Sequence, residues 1–266
     1  MTPRQRHPLR PLPPPLARWP LRLVLSCALL AGCGGPERRW PFPRVDSSND
    51  DVVVETLRKR VAGVRTLYGV LGMSFELPER SGVADAVVRY LSPGTLRMSA
   101  YKDLLVTSRD VFDLCITPER FDIRIETDDG TDRQSGPVED LVRLYPGFRA
   151  LGSLREAMFL PGLCDPGTTP RITRRDGRIY VNTLAPGNTV IEYELDPTTL
   201  GVRSTRLSLR GASMTVEYMS YREVEGRYLP ERFDLRDPEM HVQILGVIRE
   251  IELNSDLGPE EFQIDA

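Results

Sequence analysis

Histidine is nearly missing from this sequence, with 2 in 266 residues, and only His241 lies beyond the N-terminal leader described below. A hydrolase that needs a positioned general base most often uses histidine. A lone one in the strand-like run Met240-His-Val-Gln-Ile-Leu is far more often structural than catalytic. Also absent are a Gly-x-Ser-x-Gly elbow, a His-Glu-x-x-His pair and a glycine loop that could cradle phosphate. Cysteine is scarce too: four residues, none in a C-x-x-C arrangement, so a zinc or thioredoxin-like site is unsupported. The expectation is a protein that is not an enzyme and uses no metal. Carboxylate pairs of the glycosidase kind come together only in the fold. Acids spaced through Glu126-Thr-Asp128-Asp129-Gly130-Thr-Asp132 lack the glutamate that closes an EF-hand loop and read as a solvated hairpin turn.

No apolar run is long enough to cross a bilayer, which takes roughly 20 residues. Leu23 to Leu30 is apolar but short. Arg4, Arg6, Arg10, Arg18 and Arg22 precede it with no acid, which is the pattern of a secretory signal. It ends in Leu30-Ala31-Gly32-Cys33, similar to the bacterial lipobox. That likeness implies cleavage after Gly32, diacylglycerol in thioether linkage on Cys33 and an acylated amine, with no other cofactor; the alternative is an ordinary signal peptide with a chance cysteine. Two or three acyl chains, at about 0.8 kcal/mol per buried methylene, make such an anchor effectively permanent. Without the leader's five arginines, 30 basic residues face 38 acids, a formal charge of −8. An acidic domain has no electrostatic reason to bind nucleic acid, nor to adhere to anionic lipid by net charge alone.

The organisation expected is 1–32 signal peptide, 33–49 flexible tether and 50–266 a single domain. The tether carries Gly34, Gly35, Pro36, Pro41 and Pro43, then Ser47-Ser48-Asn49, and reaches at most roughly 55 Å. Val53, Leu57, Val61, Val64 and Tyr68 share one helical face. Asn49, Asp50 and Asp51 suit the start of that helix and Arg58, Lys59 and Arg60 suit its later part. From Val70 the pattern turns to period two, as in Phe112-Asp-Leu-Cys-Ile116 and Phe121-Asp-Ile-Arg-Ile125. Pro137 begins a central helical region with stretches at Val138–Leu144 and Leu151–Met158. Asp176-Gly177 is a strong two-residue hairpin signal among the later strands. Beyond the leader and Cys33 only Cys115 and Cys164 remain, either paired in an oxidising compartment or serving as two small buried hydrophobes.

A curved antiparallel sheet with helices against its concave face encloses an apolar space of the kind that binds ligands by shape. The inward candidates are Met73, Phe75, Val88, Tyr90, Leu96, Met98, Val106, Phe112, Leu114, Ile116, Phe121 and Ile123. Alternation does not distinguish a hollow interior from a filled core, and a filled core is the commoner outcome.

Three stretches carry a family resemblance: the first helix running into Leu67-Tyr-Gly-Val-Leu-Gly-Met-Ser-Phe; Leu96-Arg-Met-Ser-Ala-Tyr with Lys-Asp-Leu104-Leu105 and Val111-Phe-Asp-Leu114; and Tyr228-Leu-Pro-Glu-Arg-Phe-Asp with Ile251-Glu-Leu-Asn254 and Phe262-Gln-Ile. Their order resembles the lipoprotein-localisation carrier and receptor superfamily (LolA/LolB-like). The resemblance implies an α+β fold, a strongly curved antiparallel half-barrel of about eleven strands, with an N-terminal helix and central helices covering the concave face. It also implies a periplasmic protein that binds acyl chains or lipoproteins and acts in lipoprotein or lipid localisation. The alternative is an envelope sensor or assembly factor that binds a periplasmic protein partner. In the receptor a loop residue enters the membrane, and Leu104 and Leu105 fall in the corresponding loop; the competing reading makes Leu105 the start of a strand. Gly34 after Cys33, where an aspartate would retain a lipoprotein in the inner membrane, points to the periplasmic face of the outer membrane.

Overall fold

Asn49 starts the first helix, its side chain accepting a 2.8 Å hydrogen bond from the Asp51 amide. Helix α1 (Asp50–Val61) carries Asp50 and Asp51 in its first turn and Arg58, Lys59 and Arg60 in its last, matching the helix dipole. It ends at Val61, before Val64 and Tyr68 of the expected face. Gly63 takes φ +77°, and Thr66 already opens a strand, so Tyr68 belongs to a sheet, not a helix face. Val64 and Tyr68 are four apart, a spacing that fits both periods.

The computed structural model describes residues 41–264 apart from 79, 93, 105–106, 128, 145–168, 186–188 and 210–211. Thirteen strands follow α1 in two runs: β1 (Thr66–Leu77), β2 (Arg80–Leu91), β3 (Thr95–Leu104), β4 (Thr107–Ile116), β5 (Arg120–Thr127) and β6 (Gly130–Pro137), then, after helix α2 (Val138–Leu144), β7 (Arg171–Arg175), β8 (Arg178–Ala185), β9 (Thr189–Leu195), β10 (Val202–Leu209), β11 (Ala212–Val224), β12 (Arg227–Asp237) and β13 (Val242–Leu253). Each run is an antiparallel meander, and β1 pairs with β13 to join them into one strongly curved, unclosed sheet whose edges are β6 and β7. The half-barrel is thus as expected, with two more strands than the eleven anticipated. The clearest omission was β6, Gly-Thr-Asp-Arg-Gln-Ser-Gly-Pro, which is exposed along nearly all its length and has no apolar residue to alternate. The expected Asp176-Gly177 hairpin is present, with φ +52° and +69° at its two turn residues, as a type I′ turn requires.

Register assigns the described turns to two ends. The start of β1 and the turns after β2, β4, β7, β9 and β11 share one end; those after β1, β3, β5, β10 and β12 share the other. A twelve-residue strand such as β1 separates them by roughly 36 Å. Helix α1 crosses the first end. At its start Arg174 of β7 binds Asp50 (2.5 Å) and the carbonyl of Ser47 (2.8 Å); at its finish Arg227 of β12 donates to the carbonyl of Ala62. Val53 and Leu57 are fully buried beneath it. Helix α2 packs on β5 and β6 with Leu141 buried. The second expected helical stretch, Leu151–Met158, lies outside the described residues.

The assignment of 33–49 to a flexible tether needs correction for its described part. Phe42 is buried, its ring 4.8 Å from those of both Tyr221 and Tyr228, with the Arg60 guanidinium 4.3 Å above it. The Val45 amide donates to the Thr198 carbonyl (2.9 Å) and Ser47 Oγ to the Pro197 carbonyl (2.6 Å). Residues 41–49 therefore form a strap fastened to the α1 end. One aromatic among prolines offers no periodicity, so nothing local announced it.

The strap's receptor is the β9–β10 turn, shaped by Asp196. Burial would raise the Asp196 carboxyl, but hydrogen bonds from Arg203, Thr198 and Thr199 outweigh it and hold it below the ordinary aspartate range. A depressed carboxyl stabilises the fold above its unfolded pKa and loses that contribution as pH falls through its folded value. Asp196→Asn is therefore expected to be less stable than the parent at pH 7, with the gap closing as acid protonates the parent carboxyl. Urea unfolding from pH 7 to pH 2 checks this, and a gap that does not narrow would contradict it.

On the convex face the C-terminal segment packs Phe262 and Ile264 against Cys115. Arg97 pairs with Asp113 (2.7 Å) and also donates to the Glu261 carbonyl (3.0 Å). Cys115 is a buried free thiol, which burial pushes up to about 11. Its surroundings are those of a small buried hydrophobe; Cys164 lies outside the described residues.

Candidate functional site: the concave interior and the α1 end

The register gathers the inward candidates into rungs. Leu67, Tyr90, Leu96, Ile116 and Phe121 face one another across β1 to β5, and the next rung holds Gly69, Val88, Met98, Leu114 and Ile123. Met73, Val88, Tyr90, Leu96, Met98, Leu114, Ile116, Phe121 and Ile123 are all buried. Phe75 and Phe112 are half-buried at the margin of the same core. Toward the far end the rungs thin: Leu71, Ala86, Ala100 and Phe112 share one, Met73 and Ala84 the next, Phe75 and Gly82 the last. Phe75 leans over Gly82, its Cζ only 3.0 Å from where a Cβ there would sit. Val106 and Leu105 lie outside the described residues. Leu104 is the last residue of β3, opposite Thr107, so it belongs to a strand.

The interior extends well beyond the expected residues of β1 to β5. A single rung runs Val181, Tyr193, Thr205, Val216, Leu235, Ile244, Phe75, from β8 across to β1. Both meanders therefore share one interior. The alternation of Ile179, Val181 and Thr183, and of Ile191, Tyr193 and Leu195, was the available signal. This half also carries hydroxyls: Thr205 Oγ1 and Tyr218 Oη lie 3.1 Å apart, fully buried. The Tyr221 hydroxyl donates to the Val202 carbonyl (2.6 Å), and burial raises both tyrosines' pKa values well above the usual range.

At the α1 end lies a second feature, a cavity of about 400 Å³. Pro43 and Val45 of the strap form one wall, Thr56, Lys59 and Arg60 of α1 another, and Glu225, Arg227 and Tyr228 of the β11–β12 hairpin the third. Arg60 donates to the carbonyls of Thr199 (2.6 Å) and Leu200, and Arg227 to that of Ala62. Burial lowers the Arg60 guanidinium to about 10, which still leaves it charged at neutral pH. Lys59 pairs with Glu55 at 2.6 Å on exposed surface, where such a bridge contributes little. Among the described residues no helix is long and apolar enough to cross a membrane, and no cluster of three or more acids, histidines or cysteines is placed to hold a metal.

No family model matches the sequence, and no curated protein is similar to it in sequence. Solved structures are similar in fold. A LolA superfamily protein from Nitrosomonas europaea superposes with a TM-score of 0.57 at 11% identity, covering 80% of this chain and 97% of that one. A DUF1329 family protein from Desulfovibrio piger gives 0.55 at 8% identity over 80% and 96%. A lipoprotein-sorting protein domain from Vibrio parahaemolyticus gives 0.50 at 11% identity over 79% and 94%. TM-scores of 0.50 to 0.57 with nearly full coverage of each neighbour show a shared fold: this chain has a LolA-like fold.

Proposed function

We propose that this is a lipid-anchored protein of the outer membrane's periplasmic face that takes acyl chains, free or borne by lipoproteins, against its concave face and acts in lipid or lipoprotein localisation. The observation that carries this reading is the continuous apolar interior spanning both meanders. It supports ligand capture because its rungs thin toward the far end, where Phe75 and Phe112 remain half-buried. The lipobox-like Leu30-Ala31-Gly32-Cys33 supports the anchor, and the fold shared with a lipoprotein-sorting domain supports the cargo class. A permanent anchor fits a stationary acceptor better than a diffusing shuttle.

The test is uptake of a fluorescent fatty acid, together with mass spectrometry of whatever leaves the natively purified protein. Phe75→Asp places a charge where an acyl chain would lie and should cut uptake by about tenfold or more. Val83→Asp, on the convex face where Val83 is 70% exposed, should leave uptake unchanged. A protein that takes up no acyl chain and releases no lipid would overturn the reading, and a co-purifying protein in its place would favour the sensor or assembly role.

A further inference from the structure

We infer that the α1 end is a docking surface for the phosphate groups of anionic phospholipids, with Lys59, Arg60 and Arg227 facing the membrane that holds the chain's own anchor. The inference rests on the proposed lipidation of Cys33. Net charge argued against lipid contact, but net charge says nothing of where charges gather. Three cations and one acid, Glu225, line this cavity, with Glu55 paired to Lys59 on the exposed surface beside it, in a processed chain of charge −8. The hydrogen bonds of Arg60 and Arg227 described above end on backbone carbonyls, which carry no full negative charge. A guanidinium has five N–H donors, so donors remain for an oxyanion, and phosphate is one of the groups a guanidinium binds in paired geometry.

Reach selects the occupant. Phe42 is fastened beside the cavity and Pro43 and Val45 form its wall. Cys33 is nine residues before Phe42 in the sequence, at most roughly 32 Å of extended chain. Acyl groups on Cys33 would therefore lie within that distance of the strap, whereas the end of β3 at Leu104 lies at the opposite end, roughly 30 to 36 Å farther along the strands.

The sequence supplies its own reporters, because it contains only two lysines, Lys59 at the cavity and Lys102 near the end of β3. The processed protein, purified from membranes and reconstituted in vesicles, is treated with a membrane-impermeant amine-acylating reagent and read by peptide mass spectrometry. In phosphatidylglycerol vesicles Lys59 labelling should fall about fivefold relative to phosphatidylcholine vesicles, with Lys102 unchanged, and about 0.5 M salt should restore it. Arg227→Gln should weaken the protection. Thr56→Glu, which adds a carboxylate to the cavity without removing any of the hydrogen bonds described, should abolish it. Equal Lys59 labelling in both vesicles, protection of Lys102 instead, or protection that survives both substitutions would overturn the inference. The mass of the N-terminal peptide reads the anchor separately. If Cys33 carries no acyl group the anchor reading fails, and the same footprint is taken with protein added to vesicles from solution. Protection of Lys59 by phosphatidylglycerol alone would still support the surface.

Discussion

Phe233→Ala is expected to lower the unfolding free energy by about 3 to 5 kcal/mol, the usual loss for a large aromatic removed from a packed core. Phe233 is 1% exposed and lies opposite Gly246 on the neighbouring strand. Its ring covers that glycine so closely that a Cβ at position 246 would sit 2.1 Å from Cζ and 2.5 and 2.6 Å from Cε1 and Cε2. Gly246→Ala should therefore cost about 1 to 3 kcal/mol through overpacking. In the Phe233→Ala background the obstacle is gone, and the cost of Gly246→Ala should largely vanish. Urea unfolding of the four proteins measures this coupling directly. An undiminished cost in the double variant would show that the ring is not what excludes a side chain at 246.

Asp113→Ala is expected to cost about 2 to 4 kcal/mol, because it strips the carboxylate from a part-buried guanidinium and leaves its charge without a counter-ion. Asp113 is 5% exposed and accepts from Arg97 Nε (3.1 Å), Arg97 Nη2 (2.7 Å) and Ser99 Oγ (2.9 Å). The same Arg97 holds the Glu261 carbonyl, so the pair also fastens the C-terminal segment to the convex face. Loss of stability should come with faster hydrogen exchange in residues 255–264 before global unfolding. Exchange there that matches the parent would separate the ion pair from the tail.

The parts of the architecture readable from the sequence are those in which one local rule speaks alone. Asn49-Asp50-Asp51 caps a helix, Asp176-Gly177 turns a hairpin, and Phe112, Leu114 and Ile116 alternate on a half-buried strand. Where two rules overlapped, as at Val64 and Tyr68, the boundary moved. Strand β6 escaped because hydrophobic periodicity is blind to a strand that buries nothing. The strap escaped because Phe42 acts through Tyr221, Tyr228 and Gly201, none of them near it in the chain. The cationic cavity could not be assembled from the sequence at all, since Lys59 and Arg227 are 168 positions apart and only the β11–β12 hairpin brings them together. The inward candidates are mostly buried, but they cover one meander only, although Ile179, Val181 and Thr183 alternate in the second as Phe112, Leu114 and Ile116 do in the first.

An open sheet has a cost that closed barrels avoid: a free edge of unsatisfied amides and carbonyls invites another chain to extend it. Here β6 offers Thr131, Asp132, Arg133, Gln134 and Ser135, all exposed. A strand recruited there would gain backbone hydrogen bonds but no apolar surface to bury. Arg133 is already engaged with Asp122 of the adjoining strand at 2.9 Å. The polarity that leaves β6 without a hydrophobic period is thus also its guard against aggregation. A sheet that never closes into a barrel can keep this margin open without fibre growth.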